Sequence, residues 1–164
     1  MPVGAKAIRD RYVTDVKVKG FQKQDGSWVY VILTTWSDKS RYEIYRRYAD
    51  FFTFHDTLQT LFPEEAGKYN KKQRKLPYLP SGDTVMRMFK GLLSAKHMQT
   101  RLKDINYYCE QLLLNMPDII ARCQYTVDFF NPLPGDNQLR RLEYRTIMHY
   151  NNDSNCFLIY AYIA

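Results

Sequence analysis

Arg46, Arg47 and Tyr48 are the residues of this chain whose types and spacing best suit a binding site. A guanidinium group is planar and carries five N–H donors, so it can hold two oxygens of one phosphate at the same time. The flat face of a tyrosine beside it can pack against a sugar or inositol ring. The tripeptide therefore indicates a site for a phosphorylated ligand. The alternative is a solvated arginine pair next to a core tyrosine.

The tripeptide lies where the sequence changes from a strand pattern to a helix pattern. Residues 41–45 are typical of a strand, whereas residues 49–62 place Phe and Leu three and four positions apart, as an amphipathic helix does. Two more strands are predicted at residues 12–18 and 28–36, with an Asp-Gly turn signal between them. Because the connections are short enough for hairpins, we predict an antiparallel three-stranded meander.

Helical patterns follow these strands. An irregular, lysine-rich segment at residues 64–82 leads to a helix at 99–114, and two short helices are predicted at 118–123 and 124–130. Strands followed by helices, without alternation, are typical of an α+β fold in which a small sheet packs against a helical subdomain. The anionic site is then expected in the cleft where the sheet and the helices meet.

The composition favours an anionic partner and gives no support for catalysis. The chain has 24 Lys and Arg against 17 Asp and Glu, a net charge of +7, which suits lipid headgroups, nucleic acid or an acidic protein. The three cysteines lack metal-ligand spacing, and none of the three histidines has a visible nucleophile or metal partner. We therefore expect no enzyme activity, metal or cofactor. Sparse thiols without a signal peptide predict a cytoplasmic protein.

Three segments, in this order, resemble the PX (phox-homology) domain family. They are residues 45–48 followed by Phe51, residues 74–80, and Arg101 with the later residues 122–130. Their order and spacing are especially similar to the PX domains of NADPH oxidase organizer and Tks-type adaptor proteins.

The resemblance implies the PX fold, an α+β domain of a three-stranded antiparallel sheet packed against a helical subdomain, with a proline-rich loop. This domain is expected at residues 8–134. The tail at 135–164 does not resemble the family. It is a short isoform, a product of a truncated gene model or a peptide that pairs as an added strand, and the sequence leaves these alternatives open.

The resemblance also assigns roles to single residues. It implies a non-enzymatic module that binds membranes containing 3-phosphorylated phosphatidylinositols, with Arg47 on the 3-phosphate and Tyr48 against the inositol ring. Arg101 would bind the hydroxyls or phosphates at positions 4 and 5. Arg46 is expected to point away from the ligand.

The family's lysine after the proline-rich loop, which contacts the 1-phosphate, is missing. Pro80 is followed by Ser-Gly-Asp-Thr, and the next cations are Arg87 and Lys90, the candidate replacements. The same segment is rich in large apolar side chains, which the resemblance places in the membrane interface. These are Val85, Met86, Met88, Phe89 and Leu92. The alternative is an ordinary amphipathic helix whose apolar residues face the core.

Further partners are implied at two other places. His55 and Arg74 match a second, shallow anion pocket proposed for the organizer subgroup, although Gln59 replaces an expected basic residue. Pro77 and Pro80 bound a P-x-x-P segment that could dock an SH3 domain.

The expected protein is a monomer, peripherally associated with the endosomal or plasma membrane. The main rival is a basic nucleic-acid-binding or protein-interaction domain, but the chain lacks the aromatic K/R-G-F/Y motif of RNA-binding sheets, so no nucleic acid is expected. A fragment of a larger enzyme with a PX module is the third alternative.

Overall fold

The computed structural model describes residues 4–79, 94–138, 145–150 and 156–161. Long strands come first and helices follow, so the predicted α+β fold is confirmed. The strands are β1 (Val13–Gln24), β2 (Ser27–Trp36), β3 (Arg41–Arg46), β4 (Asn137–Gln138), β5 (Arg145–Tyr150) and β6 (Cys156–Ala161). The helices are α1 (Tyr48–Leu61), α2 (Ala95–Leu114), α3 (Asp118–Ala121) and α4 (Gln124–Phe130), with a 3-10 turn at Lys71–Gln73.

Strands β1, β2 and β3 form the predicted antiparallel meander. The β1–β2 hairpin closes at the predicted Asp-Gly turn, where Asp25 and Gly26 both have positive φ, at 48° and 79°. Such a turn matches the natural twist of the two strands, and glycine reaches this conformation without a steric cost. Strand β2 pairs with β3 in a register that places Tyr30 opposite Arg46. Tyr48, the first residue of α1, therefore follows closely on the part of β3 that pairs with β2.

The tail contributes strands to the same sheet, whose order is β4-β3-β2-β1-β5-β6. Strand β4 pairs with β3, and the β5–β6 hairpin pairs with β1 through Phe21 and Met148. The structure therefore shows these tail segments as added strands of the sheet, which is one of the alternatives that the sequence leaves open.

The core lies between the sheet and the helices, and aromatic rings fill much of it. The ring of Phe54 on α1 stacks on Phe129 of α4 with centroids 4.0 Å apart, and Phe51 meets Phe129 edge-on at 5.1 Å. Such contacts add to the large apolar area that each ring buries. The largest fully buried side chains are Trp36, Tyr30, Tyr48, Tyr108, Phe21, Phe51, Phe54 and Phe130. This core fixes α1, and with it the β3–α1 junction, against the sheet.

Helix α2 begins at Ala95, four residues before the predicted start at residue 99. Ser94 has extended backbone angles and its carbonyl accepts the amide of Met98 at 3.1 Å, so it serves as the N-cap. The first turn carries the polar residues Lys96 and His97 between Ala95 and the buried Met98, so it extends the apolar stripe by little and the predicted start falls too late.

Candidate anion-binding site

Arg47 lies at the junction of β3 and α1, where its side chain is 59% exposed. Its guanidinium Nη2 donates to Asp50 Oδ1 at 3.0 Å, and its backbone N–H donates to Asp50 Oδ2 at 2.7 Å. The Asp50 carboxylate raises the pKa of the Arg47 guanidinium, which is charged at every physiological pH. The N-cap position fixes the backbone of Arg47, and its exposed donors can meet an anion.

Tyr48 follows Arg47 and is only 1% exposed, so its ring is part of the core. Burial raises the pKa of Tyr48 to about 12, while the nearby Arg101 lowers it and Asp104 raises it. The charges of both α2 side chains thus act on the Tyr48 hydroxyl, although they belong to a distant segment of the chain.

Tyr30 of β2 belongs to the same region. Its hydroxyl donates to the backbone carbonyl of Met98 on α2 at 3.3 Å, and this contact ties the sheet to the first turns of that helix. Burial raises the pKa of Tyr30, and Arg101 and Asp104 act on this hydroxyl as they do on Tyr48. The contact with Met98 therefore brings the beginning of β2 and the first turn of α2 together, and binding of an anion there remains a prediction.

Arg101 is held by a carboxylate on its own helix. Its Nη1 lies 3.1 Å from Asp104 Oδ2, one turn further along α2, and the two side chains are 26% and 37% exposed. Charge pairs three residues apart on a helix face the same side, so the sequence does carry a signal for this partner.

Several predicted site residues lie outside the described residues. They are the phosphate-ligand candidates Arg87 and Lys90 and the insertion candidates Val85, Met86, Met88, Phe89 and Leu92. Pro80, the end of the P-x-x-P segment, also lies outside them. These assignments remain predictions.

The two residues of the predicted second anion site are close to each other and both have structural partners. His55 is buried on α1, and its Nδ1 lies 3.0 Å from the Tyr108 hydroxyl. The Arg74 guanidinium donates to the carbonyls of Ala66, Leu76 and Pro77 at 2.7, 2.9 and 3.3 Å. In this conformation Arg74 organises the loop after α1, and binding of an anion there remains a prediction.

Gly67 shows how tightly Arg74 closes this loop. Its φ is +71°, and a Cβ at this position would lie 2.9 Å from Arg74 Cβ. Glycine is needed both for the left-handed backbone and for the close approach.

His55 predicts a change of stability with pH. Burial, followed by the charge of Arg74, lowers the pKa of His55 from 6.5 to about 4. Between these values the unfolded chain binds a proton that the folded chain does not. The free energy of unfolding should therefore rise by up to about 3 kcal/mol as pH increases from 4 to 6.5, and this gain is lost on acidification.

Thermal melts between pH 4 and 7 measure this effect. His55→Gln should flatten the dependence, because glutamine does not titrate and its amide can still meet Tyr108. An unchanged slope in His55→Gln would assign the acid sensitivity to another group.

Arg46 is the residue whose importance the sequence did not indicate. It is 4% exposed, and its Nη1 forms a buried ion pair of 3.0 Å with Asp136, which is 5% exposed. Its guanidinium also donates to the carbonyls of Phe129 and Asn131 at 3.1 and 2.6 Å. Arg46 thus joins the end of β3 to the segment after α4, and its role here is structural.

The described residues contain no arrangement that points to a metal or a membrane span. Within them, no three His, Cys, Asp or Glu side chains are grouped so as to hold a metal ion. No helix in this part of the chain combines the length and the apolar character that crossing a bilayer requires.

Comparison with known proteins agrees with this geometry. The PX domain family model matches residues 34–133. The chain is 35% identical to human SH3 and PX domain-containing protein 2A over 136 residues, which is 80% of this chain and 11% of that protein. It is 35% identical to human SH3 and PX domain-containing protein 2B over 133 residues, covering 77% of this chain and 14% of that protein.

A fungal protein is also similar. Protein scd2/ral3 of Schizosaccharomyces pombe is 29% identical over 125 residues, which is 76% of this chain and 22% of that protein. The chain therefore spans less than a quarter of the length of each of these relatives. The family model covers the end of β2, strand β3, the β3–α1 junction with Arg47, and α2 with Arg101. The chain belongs to the PX domain family, a family of phosphoinositide-binding modules.

Proposed function

We propose that the chain recruits its protein to membranes by binding phosphatidylinositols that carry a phosphate at position 3. The observation that carries this proposal is the placement of Arg47. It is an exposed arginine of the family motif at the N-cap of α1, next to the Tyr48 on which Arg101 also acts. Two arginines from distant segments near one tyrosine suit a multiply charged headgroup better than a single cation does.

Bulk electrostatic attraction supports the same function. The loop after α1 exposes four lysines, and each cation close to an anionic leaflet adds about 1 kcal/mol of attraction. The lysines are Lys68, Lys71, Lys72 and Lys75. This attraction brings the domain to a membrane and does not distinguish one headgroup from another, so selectivity depends on the arginine site.

A panel of lipid vesicles tests the function. The wild-type chain should bind vesicles with phosphatidylinositol 3-phosphate or 3,4-bisphosphate more tightly than phosphatidylserine vesicles of equal surface charge. Excess single-stranded RNA should leave this binding unchanged, because the proposed site is specific for the headgroup. Equal binding to phosphatidylserine vesicles would show that the domain responds only to surface charge and does not recognise the phosphoinositide headgroup. Displacement by RNA would favour the nucleic-acid-binding alternative.

The apolar segment at residues 85–93 is proposed to enter the membrane interface beside the site. Phe89→Ser should then weaken binding to vesicles several-fold and leave binding of a soluble inositol phosphate headgroup unchanged, because only the bilayer contact is lost. Tyr107→Ser, which removes an exposed aromatic side chain from α2, is the matched control. Loss of about 3–5 kcal/mol of stability in Phe89→Ser would instead show a core residue.

The relatives' names support an adaptor as the parent protein. Two of them are named as SH3 and PX domain-containing proteins. We propose that this chain is the membrane-binding, monomeric part of a non-enzymatic adaptor at the endosomal or plasma membrane, and that an SH3 domain docks on residues 77–80. Tyr78, within that segment, is largely exposed, with the Arg74 guanidinium 4.0 Å from its ring centroid. Titration with isolated SH3 domains tests the docking.

A further inference from the structure

Each of the two arginines of the proposed site is paired with an aspartate three residues further along the chain. Arg47 Nη2 lies 3.0 Å from Asp50 Oδ1, and Arg101 Nη1 lies 3.1 Å from Asp104 Oδ2. The proposed anion site thus contains two carboxylates, and their negative charges repel an anionic ligand. Their presence therefore needs a structural or functional explanation.

Asp50 has such a task. Its Oδ2 accepts the backbone N–H of Arg47 at 2.7 Å, so it fixes the beginning of α1. A carboxylate in the first turn of a helix also interacts favourably with the helix dipole. Asp50 is therefore explained by local structure, and its charge is directed in part to backbone groups.

Asp104 has no comparable structural task. It lies in the middle of α2, where the backbone amides already bond within the helix, and its hydrogen bond among the described residues is the one to Arg101. It is more exposed than Arg101, and its charge acts on the hydroxyls of Tyr30 and Tyr48 together with that of Arg101. Because its Oδ2 lies 3.1 Å from Arg101 Nη1, the Asp104 carboxylate would lie beside a ligand that Arg101 binds.

The pair has different recognition chemistry from an arginine alone. A guanidinium offers only donors and suits phosphate oxygens, which are acceptors. With the Asp104 carboxylate beside it, the same place offers both donors and acceptors. Neighbouring hydroxyl groups of a polyol match this arrangement, since each hydroxyl both donates and accepts. A phosphate at this place, with a charge of about −1.5 to −2 at pH 7, would be repelled by the negative charge of Asp104.

We propose that Asp104 is a specificity-determining residue that selects headgroups with free hydroxyls, and not a further phosphate, at the Arg101 end of the site. The inference rests on the proposed function and makes it narrower: phosphatidylinositol 3-phosphate is the ligand, and the 3,4-bisphosphate is disfavoured. Discrimination arises from repulsion of the wrong ligand as well as from attraction of the right one.

Calorimetry with two soluble headgroups, inositol 1,3-bisphosphate and inositol 1,3,4-trisphosphate, separates this role from simple charge. The wild-type chain should prefer the bisphosphate. Asp104→Asn keeps the shape and removes the charge, and it should raise affinity for the trisphosphate roughly tenfold, with less than about a twofold change for the bisphosphate. Asp118→Asn is the matched control, because Asp118 also pairs with an arginine, Arg122, at 3.2 Å. This control variant should leave the ratio of the two headgroup affinities unchanged.

The outcomes distinguish the two proposals. A wild-type chain that binds neither headgroup would overturn the proposed function and this inference with it. A wild-type chain that binds while Asp104→Asn leaves the ratio of the two affinities unchanged would overturn only the role of Asp104. Equal gains for both headgroups, or the same gain in Asp118→Asn, would likewise assign the effect to net charge. Thermal melts of both variants should match that of the wild type, because Asp104 is partly and Asp118 largely exposed and neither ion pair is buried.

Discussion

Arg47→Ala should reduce binding to vesicles containing phosphatidylinositol 3-phosphate about 100-fold, a loss of about 3 kcal/mol. The exposed guanidinium is the proposed phosphate ligand, and a charge-assisted, bidentate contact has no replacement in alanine. The fold should remain intact, because the backbone N–H of Arg47 still donates to Asp50 and the side chain is not part of the core. Vesicle sedimentation and circular dichroism measure the two properties separately.

Two further variants make this test specific. Arg9→Ala removes one positive charge from an exposed position in the N-terminal segment and should weaken binding only slightly. Arg47→Lys keeps the charge but loses the planar pair of donors, so its affinity should lie between those of the wild type and Arg47→Ala. Wild-type sedimentation of Arg47→Ala would contradict the central assignment of the site.

Arg46→Ala, one residue earlier, should instead destabilise the fold by about 3–5 kcal/mol. Removal of the guanidinium leaves the buried Asp136 carboxylate without its ion-pair partner and the carbonyls of Phe129 and Asn131 without their donor. Asp136 is also bonded to the amides of Leu133 and Tyr45, so its charge cannot move to solvent without breaking the β3 connection. The midpoint of thermal unfolding should fall by roughly 6–20 °C.

Arg47→Ala is the control for this measurement, since the same substitution at an exposed neighbour should barely change the melt. At a temperature where Arg46→Ala is folded, its affinity for phosphoinositide vesicles should equal that of the wild type, because Arg46 points away from the ligand. A wild-type melting midpoint in Arg46→Ala would show that the buried pair contributes no net stability. Selective loss of binding without loss of stability would place Arg46 in the site.

The contrast between the two arginines follows from strand geometry. Arg46 is the last residue of β3, with its side chain directed toward the segment after α4, and Arg47 begins the turn into α1 on the exposed side. Adjacent side chains of extended backbone point in opposite directions. The same residue type therefore stabilises the fold at one position and is the proposed phosphate ligand at the next.

Local patterns in the sequence were sufficient for much of the fold. Strand patterns in the sequence predicted β2 and β3 within one residue at each end and the first half of β1, which continues six residues beyond the predicted end at residue 18, and the Asp-Gly signal placed the β1–β2 turn. The spacing of Phe and Leu predicted α1 within one residue at each end. These features depend on residues close together in the chain, so composition and periodicity contain the information. The three motif segments were likewise enough to identify the family.

Contacts between distant segments were decided only by the tertiary structure. Arg46 and Asp136 are 90 residues apart, and nothing in either local sequence marks the pair. The burial of Tyr48 and the action of Arg101 on it depend on how α2 packs against β2 and α1. Periodicity shows which face of an element is apolar, but not which element will cover it. Asp104 combines both kinds of information: its spacing from Arg101 is visible in the sequence, but its electrostatic effect on the tyrosine hydroxyls depends on the fold.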